Sequence, residues 1–195
     1  MITFSQSVMD SLRNLDVVID MDDPKFKEDF DIMVENNWEQ EKRRKGPRNF
    51  KTIRWHTAMG LCAEKALETT GFFKSTAKIT KGAVGVSYAK RKTDLRCDDM
   101  ICEAKSMPAG TDSYQFNDSQ KESILRCQPF NDVFVIVARE QVGQQYDVKF
   151  RCVPRYIVDA KQMHLYIKRP KNKSDFFSNE FDHLSAIKND HCIAL

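Results

Sequence analysis

The run Asp132-Val-Phe-Val-Ile-Val-Ala138 constrains the fold more than any other stretch of this chain. Every position after the aspartate is apolar, and most are β-branched or aromatic, which favours a strand covered on both faces. Strands of this kind occur where helices pack on the two sides of a sheet. We therefore expect an α/β (α+β) fold in which this segment is a core strand.

A second strand is predicted from Met100 to Ser106. Because side chains two positions apart in a strand share a face, Glu103 and Lys105 point one way, while Cys102 and Ala104 point the other. An acid and a base are thereby neighbours on one face of the sheet.

A two-residue turn at Asp98-Asp99 would fold this strand back on the preceding one as a hairpin. The antiparallel register then sets Leu95 opposite Cys102 and Asp94 opposite Glu103, with Cβ atoms roughly 5 Å apart. Two opposed carboxylates repel each other, so the arrangement calls for a compensating cation. A divalent metal ion is the natural candidate.

Helices and further strands are predicted from periodicity and from capping and turn residues. The predicted helices are Ser5 to Leu15, Pro24 to about Arg44, Phe50 to Thr70, Ser119 to about Arg126 and Pro154 to Lys161, and the tail from Ser174 has helical spacing. The other predicted strands are Thr76 to Thr80, Val84 to Leu95, Tyr146 to Val153 and Met163 to Lys168.

Asp94, the hairpin and Glu103-Ala104-Lys105 together resemble the signature of the PD-(D/E)XK nuclease superfamily, although Thr93 replaces its proline. The segment from Gly60 to Gly71, with Glu64, is similar to the first core helix of that superfamily. The resemblance spans about Lys51 to Arg139. It implies a restriction-endonuclease-like αβββαβ core with an N-terminal helical extension and C-terminal strands and helix. We expect one domain, 1–195, divided into N-terminal helices (1–49), core (50–140) and C-terminal extension (141–195).

The resemblance also implies a reaction, namely hydrolysis of phosphodiester bonds with Mg²⁺ as cofactor and Mn²⁺ able to substitute. Its expected metal ligands are Asp94, Glu103, Glu64 and the Ala104 carbonyl, and Lys105 is expected to position the attacking water. Gln120 corresponds to a polar residue that some members carry near the metal. DNA is favoured over RNA on superfamily grounds alone.

Each of these assignments has a structural alternative. Asp94, Glu103 and Lys105 would also form a surface cross-strand ladder of charges in an unrelated α+β domain. Glu64 would also be an ordinary surface glutamate, and Gln120 an exposed residue at a helix start. A further alternative keeps the fold but drops the chemistry, leaving a module that binds nucleic acid or protein.

Two features outside the motif stay open between a functional and a structural role. His56 either belongs to the site, as a histidine does in some viral relatives of the superfamily, or is structural, as its offset from Thr57 favours. The basic stretch Lys42 to Lys45 is either a solvated helix end or, extended by Arg48, Lys51 and Arg54, a phosphate-contacting surface.

Composition sets the remaining limits. A net charge of +3 is compatible with nucleic-acid binding but does not favour it, because the local clustering of Lys and Arg determines whether a surface binds nucleic acid. The six cysteines form no C-x-x-C pair, which argues against zinc and favours a reducing, intracellular location in cytoplasm, nucleus or nucleoid. No apolar stretch is long enough for a membrane span, and a homodimer is compatible with the sequence.

Overall fold

The computed structural model describes residues 4–75, 95–111, 132–159 and 192–195. These residues form three helices and seven strands in a mixed α/β arrangement. In chain order the elements are α1 (Gln6–Asn14), β1 (Val17–Asp20), α2 (Pro24–Glu41), α3 (Phe50–Glu68), β2 (Lys74–Ser75), β3 (Leu95–Cys97), β4 (Met100–Pro108), β5 (Val133–Gln141), β6 (Lys149–Asp159) and β7 (Cys192–Ala194).

The three helices begin where the sequence places capping side chains. The Ser5 hydroxyl, the Asp23 carboxylate and the Asn49 side-chain oxygen each accept a backbone N–H of the first turn of α1, α2 and α3, respectively. Pro24 is the first residue of α2, where its missing N–H costs nothing. The first three predicted helices are therefore confirmed at their starts, although α2 ends at Glu41 and not near Arg44.

The strands form one curled mixed sheet in the order β1-β6-β5-β4-β3-β2, and β7 pairs with β6 beside β1. Strands β2, β3 and β4 pair antiparallel, β4 and β5 pair parallel, and β6 runs antiparallel to β5. As predicted, β5 is covered on both sides, because all six residues from Val133 to Ala138 are buried.

Strand β6 corrects the prediction for the segment around Pro154. The expected short helix from Pro154 is wrong over its described part, because β6 continues unbroken to Asp159. The register with β5 shifts between Ile136 and Val137, so Pro154 lies beside a β-bulge. A bulge is one of the few positions at which a sheet tolerates proline, which donates no backbone hydrogen bond.

Strand β1 was not predicted, and it ties the N-terminal segment to this part of the sheet. It pairs antiparallel with β6, with Val17 opposite Cys152. The Asp16 carboxylate also accepts two hydrogen bonds from the Arg151 guanidinium beside this pairing. The helices α1 to α3 and one face of the sheet share a single hydrophobic core, which includes Leu12, Phe30 and Phe150.

Several predicted elements lie outside the described residues. They are the strand Thr76 to Thr80, the strand Val84 to Leu95 apart from its last residue, the helix Ser119 to Arg126, the strand Met163 to Lys168 and the tail from Ser174. Within the described ranges, no helix combines the length and the apolar character that a bilayer span requires.

Candidate functional site

The hairpin that organises the candidate site has the register expected from the sequence. Leu95 lies opposite Cys102 and Cys97 opposite Met100. Asp98, the first residue of the turn, has a φ of 50°, a left-handed conformation that aspartate tolerates better than most residues. Asp94, the next residue before the described strand, lies outside the described residues.

Glu103 and Lys105 share one face of β4, and the Lys105 ammonium forms an ion pair with the Glu103 carboxylate. Their side chains are 19% and 25% exposed, respectively. In the parallel pairing with β5, Glu103 lies beside Phe134 and Lys105 beside Ile136, both of which are buried. The predicted acid–base neighbourhood is therefore present, and apolar side chains limit the access of water to it on the β5 side.

Cations extend along the same sheet face toward β2. Arg96 lies opposite Ile101 in the hairpin, and Lys74 lies opposite Arg96. Because cross-strand partners share a face, Lys74 and Arg96 point to the side that carries Glu103 and Lys105. Both line a cleft of about 600 Å³ together with Gly71, Phe72, Ser75 and Asp98. This cleft presents positive charge next to the hairpin.

The opposite face of β4 packs against α3. Cys102 and Ala104 are buried in the same core as Cys62 and Ala63 of α3. The Ser106 hydroxyl donates a hydrogen bond of 2.6 Å to the Met59 carbonyl. Since Ser106 alternates with Lys105, the helix covers the face that Glu103 and Lys105 do not use.

Glu64 lies on a different side of α3 from the residues that contact the sheet. Each helical residue turns about 100° from the last, so Glu64 lies about 200° from Cys62. The Cys62 position faces the sheet, because its carbonyl accepts a 3.8 Å contact from the Cys152 thiol of β6. Glu64 shares a stripe of the helix with Thr57, which accepts a hydrogen bond from Asn37 of α2, and its assignment as a metal ligand stays a prediction.

Gly60 lies in an open part of α3. Among the described residues, no atom lies within 4 Å of a Cβ built at Gly60. The residue is exposed, and its backbone is an ordinary part of α3.

The Ala104 carbonyl has the direction that a metal ligand between β3 and β4 would need. The Ile101 N–H donates to the Asp132 carboxylate at 2.9 Å, and the Ile101 carbonyl accepts the Asp132 N–H at 2.7 Å, so the Ile101 backbone faces β5. Backbone polar groups alternate sides along a strand, and Ala104 is three residues further on. Its carbonyl therefore points to the β3 side of β4.

The described residues include two oxygen donors of the expected metal site. The Glu103 carboxylate and the Ala104 carbonyl are hard oxygen donors of the kind that Mg²⁺ prefers. Within ranges 4–75, 95–111, 132–159 and 192–195, no three His, Cys, Asp or Glu residues converge on one point. The expected third donor, Asp94, and the expected neighbour, Gln120, both lie outside these ranges. The donor chemistry fits a hard divalent ion as far as the described residues reach.

His56 lies on α3 and thus on the far side of the sheet from Glu103 and Lys105. Its Nδ1 is 3.4 Å from a guanidinium nitrogen of Arg48, and its ring meets Trp55 edge to face. Partial desolvation, followed by the charge of Arg48, lowers the pKa of His56. This placement favours the structural role over membership of the β4 site.

The basic stretch before α3 is partly neutralised by acids of α2 and of the segment that precedes it. Arg48 binds the Glu41 carboxylate through Nε at 3.0 Å and a terminal nitrogen at 2.8 Å, and its backbone N–H donates to the same carboxylate. Lys42 pairs with Glu39 and Arg54 with Asp22. The side-chain hydrogen bonds from Arg48 are the main reason that the pKa of Glu41 falls to about 2.

Sequence reasoning did not identify three residues that shape this region. Arg139 donates to the Ser106 hydroxyl at 3.0 Å, Asp132 fixes the start of β5 against Ile101, and Tyr146 packs on Trp55. The signal for Asp132 was present as a carboxylate just before an apolar run. Arg139 and Tyr146 gave no local signal, because their partners are distant in sequence.

Comparisons with known proteins found no matching family model, no matching curated protein and no matching solved structure. The site must therefore be interpreted from its own residues.

Proposed function

We propose that this protein is a metal-dependent nuclease that hydrolyses phosphodiester bonds, with DNA favoured over RNA. The observation that carries the proposal is the ion pair of Glu103 and Lys105 on one face of β4, within a hairpin of the expected register. The same register, continued by one residue, would set Asp94 opposite Glu103. An acid pair and a lysine at one point are what the superfamily signature requires.

The order and direction of the strands support this proposal. A helix, three antiparallel strands and a strand parallel to the last of them follow one another as α3, β2, β3, β4 and β5. That is the order implied by an αβββαβ core, apart from the second helix, which was predicted at Ser119 to Arg126 and lies outside the described residues.

Glu103, the Ala104 carbonyl and Asp94 would be the main ligands of Mg²⁺ in this proposal, and the sheet lies between Glu103 and Glu64 of α3. When bound, such an ion offsets the negative charge that develops on the phosphate and the leaving oxygen. Glu103 contributes charge as well as an oxygen donor, since it is the only carboxylate that the described part of β4 carries.

Lys105 would orient the attacking water and stabilise developing negative charge. Its ammonium is paired with the Glu103 carboxylate, and its side chain is one-quarter exposed. Lys74 and Arg96 on the same face would bind neighbouring phosphates of the strand. Their fixed positions beside the hairpin give the substrate a direction across β2, β3 and β4.

The test is incubation of the purified chain with linear DNA, circular DNA and RNA, in Mn²⁺, in Mg²⁺ and in EDTA. We expect metal-dependent cleavage, and Lys105→Ala should lower its rate by at least about 100-fold, the cost of removing one preorganised electrostatic group. Lys149→Ala is the matched control, because Lys149 is also a strand lysine paired with a carboxylate, 3.7 Å from Asp20. Absence of cleavage, or full cleavage by Lys105→Ala, would overturn the proposal.

A second candidate is a non-catalytic module that binds nucleic acid. The placement of α3 on the face of β4 opposite to Glu103 favours it, because the sheet then lies between Glu64 and Glu103. This candidate predicts that the wild-type chain retains DNA in Mn²⁺ without producing fragments, and that Lys105→Ala binds as the wild type does.

A further inference from the structure

A group of aromatic and basic side chains lies at the N-terminal end of α3, away from the β4 site. We define the α3 surface as Arg48, Lys51, Trp55, His56 and Tyr146. The last of these comes from the loop between β5 and β6, and the others come from α3 and the residues before it. Lys51, His56 and Arg48 are exposed, and Trp55 and Tyr146 are half-buried.

The rings of the α3 surface form a continuous row. Tyr146 meets Trp55 with ring centroids 5.6 Å apart, and Trp55 meets His56 at 5.4 Å, both edge to face. Tyr146 holds its place with a φ of 71°, a left-handed backbone that a bulky residue adopts only at a cost in free energy. The loop therefore has an unfavourable backbone conformation at the residue whose ring packs against α3.

Cations border the row of rings on both sides. The Lys51 ammonium lies 5.0 Å from the centre of the Tyr146 ring, and Arg48 reaches Nδ1 of His56. The charge of Arg139 also acts on His56 from the sheet. Between positions 42 and 54 the chain has seven lysines and arginines and no acid, so the acids of α2 and Asp22 balance only part of this charge.

We propose that the α3 surface binds a single-stranded stretch of nucleic acid. Its cations would contact the phosphates, and its rings would stack with bases, which is how single-strand binding surfaces combine charge and stacking. The faces of the bases are hidden in a duplex, and an acidic protein has no bases to stack. The row of rings therefore favours single-stranded nucleic acid over both. The β4 site lies on the other side of the sheet, and binding here does not require hydrolysis there.

The test is fluorescence anisotropy of a labelled oligodeoxythymidine of about 20 nucleotides, longer than the roughly 4 to 16 nucleotides that such surfaces cover. EDTA prevents cleavage during the measurement. We expect Tyr146→Asn, which tolerates the left-handed backbone but removes the ring, to weaken binding roughly 5- to 100-fold. We expect Lys51→Ala to reduce the slope of log affinity against log salt by about 0.7, the value for one phosphate contact on a single strand.

Lys25→Ala is the matched control, since Lys25 is also an exposed lysine over an aromatic ring, 5.2 Å from that of Phe26, but lies at the start of α2. It should bind as the wild type does. Unchanged binding in both α3-surface variants would overturn the proposal. Equal affinity for a duplex, or competition by heparin that Tyr146→Asn does not alter, would show general anion binding and overturn it as well.

The two proposals fail in different ways. If the wild-type chain does not cleave but its binding depends on Tyr146, the proposal for the α3 surface is supported and the nuclease proposal is overturned. If the chain cleaves but its binding does not depend on Tyr146 and Lys51, the nuclease proposal is supported and the proposal for the α3 surface is overturned.

Discussion

The Ser106 hydroxyl donates a 2.6 Å hydrogen bond to the backbone carbonyl of Met59, which fixes α3 against one face of β4. Glu103 and Lys105 lie on the other face, and Glu64 belongs to α3. The sheet therefore separates the glutamate of the helix from the glutamate of the strand.

This separation predicts different outcomes for the two glutamates. Glu64→Gln should leave the rate of metal-dependent cleavage unchanged, because α3 packs on the face of β4 opposite to Glu103 and Lys105. Glu103→Gln should abolish cleavage, since it removes the charge that would hold the metal. Steady-state cleavage of one DNA substrate by both variants checks this, and loss of activity in Glu64→Gln would contradict the geometry.

Metal binding should be visible without any nucleic acid. Mn²⁺ at 100 times its dissociation constant would stabilise the folded chain by about 2.7 kcal/mol, equivalent to roughly 5 to 11 °C in Tm for a domain of this size. Glu103→Gln should lose most of this shift, and excess EDTA should reverse it in the wild type. Glu140→Gln, a change of an exposed glutamate in β5, should keep it. An equal shift in both variants would exclude Glu103 as a ligand.

The bond between Ser106 and Met59 should contribute measurably to stability. Ser106→Ala removes this bond and the acceptor of Arg139, and should lower the free energy of unfolding by about 1 to 3 kcal/mol. Thr111→Ala removes a hydroxyl that bonds the Pro108 carbonyl at the exposed end of β4, and should cost no more than about 0.5 kcal/mol. Urea unfolding of the two variants gives the comparison, and equal costs would contradict it.

Glu41 should make the stability of the fold depend on acid pH. Hydrogen bonds from Arg48 lower its pKa from 4.5 to about 2. The stabilisation is therefore fully present above the unfolded value and is lost as the pH falls through about 2. Glu41→Gln should show a smaller decline of Tm over this interval than the wild type.

Glu39→Gln is the control for this pH dependence, because Glu39 pairs with Lys42 on the exposed surface of α2. Its decline of Tm should match that of the wild type. Parallel declines in all three proteins would show that the pairing of Glu41 with Arg48 contributes nothing at acid pH.

Gly60 offers a gain in stability at no cost in packing. Since a Cβ there meets open space, Gly60→Ala should stabilise the chain by about 0.5 to 1 kcal/mol through better helix propensity. Gly71→Ala should act in the opposite direction, because Gly71 has a φ of 78° and a side chain there costs roughly 1 to 2 kcal/mol. Thermal unfolding distinguishes them, and a destabilised Gly60→Ala would mean that the helix needs the glycine.

The sequence predicted those parts of the fold that depend on neighbouring residues. The cap at Asp23 and the turn at Asp98 act within a few residues of the elements they define, so local chemistry was sufficient. The register of the hairpin followed from the turn alone. The common face of Glu103 and Lys105 followed from the alternation of strand side chains.

The parts that were missed depend on distant partners. Val17 to Asp20 is a strand because β6 offers it an edge, and four residues give too short a pattern to predict. Pro154 was predicted to start a helix, because the β-bulge beside it depends on the pairing with β5, which the local sequence does not show. Glu64 was predicted to be a ligand from the resemblance, and a sequence does not show which face of a sheet a helix will cover.

Strand β6 pairs with β5 in the middle of the sheet, with β1 from the N-terminal segment and with β7 near the last residues. The partners Asp16 and Arg151 are 135 residues apart. A ribosome must therefore release most of the chain before β1 has a neighbour, and contacts of such long range slow folding.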